Sequence, residues 1–270
     1  MAVKLVAVVR APTRPEEAAR AFADAAGLTL AEARMRLAPE PPALLARLDP
    51  EKAGALVAAL RKAGLAALAV DARVPSDKDR TVAHTVAFAE AGAIFTTGVG
   101  NAMEVAWSEV LAVLRGMRSS RSETERTEKS RTLSLGMAVA TSGLKMTRTS
   151  VKTVRSSDES TEQVILVHAR DGRTAILAEG RLDFACLSPC QPSSTANMVE
   201  LARRLREHAR GAFYDERLLR LGRRPLPFVA DPESRSQAAS VVTTRTDTKG
   251  SLDVLAEVMR QALLQGLPMV

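Results

Sequence analysis

Cysteine and histidine are the residue types in this sequence that could bind a metal or perform redox chemistry. Cys186 and Cys190 are separated by three residues, whereas redox and zinc-knuckle motifs use two, and the sequence has no second cysteine pair. His84, His168 and His208 are far apart, and none has a ligand residue at metal-binding spacing. We therefore predict no metal site and no cofactor, and a reversible disulfide remains an alternative for the two cysteines.

Other motifs of catalytic proteins are incomplete in this sequence. Gly98-Val-Gly100 lacks the third glycine of a dinucleotide-binding loop and the Lys-Ser/Thr of a phosphate loop, so it predicts a turn between strands. The Gly-x-Ser-x-Gly nucleophile motif is missing. Asp215 and Glu216 are adjacent, and adjacent side chains point apart, which does not suit a general acid–base pair. We predict no catalytic residues and no enzymatic activity.

Arginine is the residue type that clusters most clearly. Residues 202–224 hold eight arginines against three acidic residues, and residues 115–131 hold six basic against three acidic residues. Guanidinium groups bind phosphates, and such binding weakens steeply as salt increases. A solvated helix face at 202–224 and a mobile polar loop at 115–131 form the alternative. The predicted anion or partner patch comprises Arg203, Arg206, Arg210, Arg217, Arg220, Arg223 and Arg224.

Composition limits the remaining function classes. The 270 residues carry 38 basic and 31 acidic side chains, and 46% are apolar, which is enough to form a core. Aromatic residues make up only 3%, which argues against single-stranded nucleic-acid binding by base stacking. No stretch approaches the roughly 20 apolar residues that span a bilayer, and Arg10 interrupts the short apolar start. We expect a soluble cytoplasmic protein.

Residues 1–75 show the pattern of a small α/β domain. Thr13 and Thr29 begin capping boxes with a glutamate three residues later, and Gly27 ends the first helix. Asp49 precedes Pro50 and starts a third helix, which ends at Gly64. The predicted order is βααβαβ, with strands at 3–9, 43–48 and 65–70.

This part of the chain resembles the C-terminal domain of the bacterial ribosomal stalk protein. The matching segments are Gly27-Leu-Thr-Leu-Ala-Glu-Ala33, a proline-rich turn, Asp49-Pro-Glu-Lys52 and Leu60-Arg-Lys-Ala-Gly64. The resemblance covers about residues 4–71 and implies the same fold and a small protein-docking module. Ala31 stands where the family usually has lysine, Arg34 keeps one positive charge, and the family's dimerisation helices and hinge are absent. A generic packing domain without an inherited role is the alternative.

Residues 80–224 predict a β-rich domain followed by an amphipathic helix at 197–208. Asp171-Gly172 between two apolar runs is a hairpin signal. The apolar runs predict strands at 82–88, 93–97, 103–110, 133–140, 144–154, 163–169 and 174–178. Seven strands before a helix, with Trp107 in Val-Ala-Trp-Ser-Glu-Val and with Arg181-Leu-Asp-Phe184, resemble a pleckstrin-homology-like barrel over about residues 80–212. That resemblance implies an interaction module.

The tail at 225–270 is predicted to be partly irregular and to end in a helix. Ser251 is the expected N-cap, and Leu252, Leu255, Met259 and Leu263 form an apolar stripe that we expect to pack on the second domain.

Together these patterns predict an α+β protein, in which a small βααβαβ domain precedes an antiparallel barrel-like β domain capped by helices. The expected domains are 1–75, 80–224 and 225–270. The predicted function is a non-enzymatic cytoplasmic protein-interaction or regulatory adaptor with a protein partner. One alternative is a nucleic-acid- or ribosome-associated factor that uses the Arg-rich helix. A second alternative is an unrecognised enzyme.

Overall fold

The computed structural model describes residues 3–73, 75, 77–133, 147–229, 233–238 and 241–269. The chain divides into two compact units. Unit 1 comprises Met1–Ser119, Thr161–Asp231 and Thr248–Val270, and unit 2 comprises Ser120–Ser160 and Pro232–Asp247. The domain boundaries expected from the sequence, 1–75, 80–224 and 225–270, stay a prediction.

The first part of unit 1 follows the predicted order. The elements are β1 (Lys4–Val8), α1 (Pro15–Ala26), α2 (Leu30–Leu37), β2 (Ala43–Leu48), α3 (Pro50–Lys62) and β3 (Ala67–Asp71). Among the described strands, β1 lies between β2 and β3 and pairs antiparallel with both. Thr29 forms the predicted capping box with Glu32, and Asp49 caps α3. The capping box predicted at Thr13 is wrong, because α1 has Arg14 at its N-cap position without a side-chain cap.

The rest of the chain is mainly β-structure. The strands are β4 (Thr81–Ala83), β5 (Thr85–Phe88), β6 (Gly92–Thr96), β7 (Ala102–Ala106), β8 (Val110–Leu133), β9 (Thr147–Ala169), β10 (Thr174–Ala178), β11 (Phe213–Asp215), β12 (Glu233–Ala238) and β13 (Val241–Asp247). The helices are α4 (Ser194–His208), α5 (Leu218–Leu221) and α6 (Lys249–Leu264).

These strands form two sheets within the described ranges. One has the order β12-β13-β8-β9-β10-β4, with β11 also paired to β8, and the other has the order β5-β6-β7. The mixed α and β content confirms the α+β class, whereas no described sheet closes into a barrel. The expectation of a purely antiparallel sheet is wrong, because β4 runs parallel to β10 and β11 parallel to β8. Apolar periodicity in the sequence carries no information about strand direction.

Two further sequence expectations need correction. Residues 115–131, for which a mobile polar loop is the alternative, lie in β8, and the partly irregular tail also contains β12 and β13. These strands lack the alternation of apolar and polar residues on which strand prediction depends. The predicted strands at 133–140 and 144–154 lie partly outside the described residues. Ser251 lies inside α6, where its Oγ accepts a bond from the Leu226 backbone, and Thr248 occupies the N-cap position.

Helix α6 is buried on nearly every side. Its side chains belong to one apolar cluster with Leu5 and Leu68 of the β1–β3 sheet and with Leu114 and Leu166 of β8 and β9. Three residues of the predicted stripe, Leu252, Leu255 and Met259, are fully buried, and Leu263 is partly buried against them. Because the cluster includes residues of two sheets, α6 needs apolar side chains around most of its circumference.

Leu252 packs against Gly116 and Gly222, and its contact with Gly222 predicts a mutational effect. A Cβ added at Gly222 would lie 2.6 Å from Leu252 Cδ1 and 2.7 Å from the Met117 carbonyl oxygen. We expect Gly222→Ala to lower the free energy of unfolding by about 1–3 kcal/mol through overpacking. The matched change Gly54→Ala, in α3 with open space around the added Cβ, should raise it by about 0.5–1 kcal/mol. Urea denaturation of both variants measures the difference, and equal effects would contradict the packing argument.

Candidate functional site

The arginines of the predicted patch divide into two groups with different neighbours. On α4, Arg203 pairs with Glu200 and Glu207, with 2.7 Å between Arg203 Nη2 and Glu200 Oε1. Arg206 lies over the Tyr214 ring at 4.8 Å, and Arg210 donates to the Glu207 carbonyl oxygen. Of these three arginines, only Arg203 has a carboxylate partner among the described ion pairs, so Arg206 and Arg210 keep their positive charge on this face.

The second group lies against the turn before β2. Arg217 pairs with Asp215 at 2.8 Å and donates to the Pro41 carbonyl oxygen, and Arg220 pairs with Glu40. Arg223 and Arg224 are exposed. Eight arginines against three acidic residues give residues 202–224 a local charge of +5. This count leaves out Glu40 and Glu200, which lie outside the range. The anion patch and the nucleic-acid alternative stay predictions, with less unbalanced charge than the sequence count indicated.

A cleft in unit 1 is lined by a group of titratable side chains. Its volume is about 290 Å³, and its walls come from the β3–β4 connection, the β9–β10 hairpin and α6. Its charged or titratable lining residues are Asp71, Arg73, Asp79, Arg80, His168, Asp253, Glu257 and Arg260. Sequence analysis missed this cluster, because its titratable residues come from three parts of the chain, 71–80, 168 and 253–260, that are more than 80 residues apart.

A buried ion pair forms part of the wall of this cleft. Arg80 binds Asp253 through two bonds, Nη1–Oδ1 at 2.8 Å and Nη2–Oδ2 at 2.6 Å. The two side chains are only 4% and 1% exposed. Burial raises the pKa of the Asp253 carboxyl, and the Arg80 guanidinium opposes that shift. Asp77 joins the pair to α6, because it bonds both Arg80 and Lys249.

His168 is the second buried titratable group in the cleft. The residue is 3% exposed, and its Nδ1 lies 3.0 Å from Thr174 Oγ1. Burial, with smaller contributions from the Arg260 and Arg80 charges, lowers the pKa of His168 to about 3, although Glu257 opposes the shift. The imidazole is therefore neutral near pH 7 and cannot act there as a proton-donating imidazolium.

The charged side chains of the cleft are paired. Arg73 pairs with Asp79, Arg80 with Asp253, and Arg260 with Glu257, whereas Asp71 pairs with Lys4 outside the cleft lining. Two buried nitrogens in its wall, Arg80 Nε and His168 Nε2, have no described hydrogen-bond partner, but they are shielded from the surface. This arrangement suits a structural ion-pair cluster that fixes the β3–β4 connection on α6.

The other sequence candidates occupy ordinary structural positions. His84 Nδ1 lies 2.7 Å from the Arg181 carbonyl oxygen, and His208 stacks on Trp107 with 4.8 Å between ring centroids. Cys186 and Cys190 are free thiols, and burial raises the pKa of Cys186. Within the described ranges, no group of three His, Cys, Asp or Glu residues could hold a metal ion.

Asp215 and Glu216 bind different partners, as the sequence predicted for adjacent carboxylates. Asp215 bonds Arg217, whereas Glu216 bonds Arg115 and its Oε1 accepts a hydrogen bond from the Tyr214 hydroxyl, with 2.6 Å between the oxygens. Burial and the bond to Glu216 raise the pKa of Tyr214 to about 12. The described helices include none long and apolar enough to cross a membrane.

Unit 2 differs from unit 1 in having no buried side chain among its described residues. It contains the outer parts of β8 and β9 together with β12 and β13. Residues 153–160 are all exposed, and the described polar contacts are pairs such as Arg155 Nε–Glu125 Oε1 at 2.7 Å. Of the 57 residues in this unit, 22 are serine or threonine. Unit 2 is therefore a polar sheet whose described side chains face solvent.

No protein-family model, curated protein or solved structure matches this chain.

The neutral His168 predicts a pH dependence of stability. Its folded pKa of about 3 lies below the unfolded value near 6.5, so the unfolded state binds a proton first and stability falls as pH decreases between these values. Between pH 7 and pH 5 this effect amounts to about 2 kcal/mol. We expect His168→Gln to lose less stability over this interval than the wild type, whereas the exposed control His84→Gln should follow the wild type. Urea denaturation at both pH values tests this, and parallel curves for wild type and His168→Gln would contradict it.

The buried ion pair predicts a large mutational effect. Asp253→Asn removes the carboxylate that binds Arg80 and leaves a buried guanidinium with Asp77 as its remaining described carboxylate partner. We expect a loss of about 3–5 kcal/mol in the free energy of unfolding. The surface change Glu17→Gln, which removes the exposed carboxylate partner of Arg14, should leave the denaturation midpoint close to that of the wild type. A small effect of Asp253→Asn would show that the pair is dispensable for stability.

Proposed function

We propose that this chain is a non-enzymatic protein-interaction or regulatory adaptor, and that unit 2 is the surface that its partner binds. The observation that carries the proposal is the exposure of every described side chain in unit 2 to solvent, fully or in part. Burial of apolar side chains is the main favourable contribution to folding. The sheet of unit 2, whose described side chains form no core, gains little stability from apolar burial. This supports a role in which the sheet presents polar side chains and backbone groups to another molecule.

Unit 1 supports this proposal as a scaffold. Its described residues form three apolar clusters, and its buried Arg80 and Asp253 pair with each other. Surface loops and sheets on a rigid scaffold are common positions for binding residues. We include in the proposal the stalk-like docking character of residues 4–71 and the pleckstrin-like character of residues 80–212. The order of strands β4 to β10 followed by α4 supports the second resemblance.

A cytoplasmic location is part of the same proposal. Cys186 and Cys190 are both free thiols. Free thiols fit a reducing compartment better than an oxidising one. A protein-interaction role in that compartment requires no bound cofactor.

A site-specific photo-crosslinker tests the proposal. Placed at Ser156 in unit 2, it should capture a discrete partner protein, which mass spectrometry identifies. Placed at Glu51, an exposed position on α3 in unit 1, it should capture much less of that protein. The purified partner should then bind the purified chain, and binding should weaken at high salt because salt screens exposed charges such as Arg155.

Two results would overturn the proposal. Equal capture at Ser156 and Glu51 would show that unit 2 is not the binding surface. A catalytic activity that is lost in Arg80 or His168 variants of unchanged stability would identify the chain as an enzyme.

A further inference from the structure

Among the described strands, β9 has one partner fewer in unit 2 than in unit 1. In unit 1, β10 pairs antiparallel with Val164–His168 and ends at Ala178, opposite Val164. Residues 153–160 of β9 continue beyond this point, and the described strands of the sheet provide only β8 as a neighbour there. Residues 153–160 therefore form an open edge among the described strands.

The backbone bonds of β9 show which residues face this edge. The Gln163 carbonyl accepts from the Glu179 backbone, and the Ala169 N–H donates to the Arg173 carbonyl, on the side where β10 lies. Successive residues in a strand direct their backbone groups to opposite sides. Odd-numbered residues therefore face the open side, and these include Arg155 and Ser157.

The side chains along the edge carry charges of both signs. Arg155 is 78% exposed and pairs through Nε with Glu125, whereas Asp158 lies three residues further and therefore on the opposite face of the sheet. All side chains of residues 153–160 are exposed. A strand added at this edge would pair its backbone with odd-numbered residues, and its side chains would meet Arg155 on one face together with Glu159, and Asp158 on the other.

We propose that the β9 edge at residues 153–160 binds an extended segment of the partner protein as an added antiparallel strand. This inference rests on the proposed function and specifies its binding mode. Main-chain hydrogen bonds would supply affinity, and side chains on alternate faces would supply specificity. The segment carries a carboxylate opposite Arg155 and, three residues earlier in its sequence, a basic side chain opposite Asp158.

A second copy of this chain fits the edge less well than a short segment. Antiparallel pairing of two β9 strands about Ser157 places residue 150 of one copy opposite Val164 of the other. In that second copy, β10 already pairs with Val164. A short segment that pairs only with residues 153–160 does not reach Val164 and so does not compete with β10.

A synthetic peptide of about eight residues serves as the probe, with alternating threonine and valine, one lysine and, three residues later, one glutamate. Fluorescence anisotropy should show saturable binding of the labelled peptide to the full chain. Ser157→Pro removes an N–H that faces the edge and should weaken binding by about tenfold or more. N-methylation of the peptide amides that face β9 should also abolish binding, whereas methylation of the alternate amides should preserve it.

A charge exchange keeps the proposal testable if Ser157→Pro disturbs the sheet. Arg155→Glu should weaken binding of the original peptide by about fivefold, and replacing the peptide glutamate with lysine should restore it. The proposal would be overturned if neither the methylation pattern nor the charge exchange changed the affinity of the peptide for the chain. Concentration-dependent dimers that Ser157→Pro abolishes would identify a second copy as the occupant instead, and would equally overturn it.

The outcomes separate this inference from the proposed function. If the partner crosslinks at Ser156 while Ser157→Pro and Arg155→Glu bind that partner like the wild type, the binding mode is wrong and the adaptor role stands. If no partner crosslinks in unit 2, the proposed function fails as well.

Discussion

Burial of helix α6 is the constraint on which the rest of unit 1 depends. Its apolar side chains share one cluster with residues of the β1–β3 sheet and of β8 and β9. The same helix also carries Asp253, which binds Arg80 in a pair almost closed to solvent. Charges in such an environment are costly unless their geometry is good, so the bidentate pair fixes the β3–β4 connection against the helix. Apolar packing and charge pairing thus act on the same element.

Charge pairing over long sequence distances also changes how the basic composition should be interpreted. Arg220 meets Glu40, Arg115 meets Glu216, and Arg80 meets Asp253, although each pair is separated by 100 or more residues. A window along the sequence counts only one member of each pair. The net charge of the chain is +7, but the folded surface has fewer arginines without a carboxylate partner than the Arg-rich segments of the sequence suggested.

The described side chains of unit 2 form no apolar core, in contrast to those of unit 1. Its strands are rich in serine, threonine and paired charges, and its described side chains are exposed or partly exposed. Cross-strand pairs such as Arg155 with Glu125 stabilise such a sheet only modestly. An open edge with charges of both signs is the feature that another chain could recognise, and charges on an edge also limit non-specific aggregation.

The sequence by itself determined the local elements of residues 1–75, because the capping box at Thr29, the cap at Asp49 and the turn at Gly27 act within a few residues. Helix α4 and strands β6 and β10 followed in the same way from apolar periodicity. Only the tertiary structure decided that residues 115–131 form a strand, because backbone pairing with β13 and β9 overrides a polar pattern. It alone also brought Arg80, His168 and Asp253 into one cleft, since contacts between distant residues depend on the packing of α6 and leave no periodic signal in the sequence.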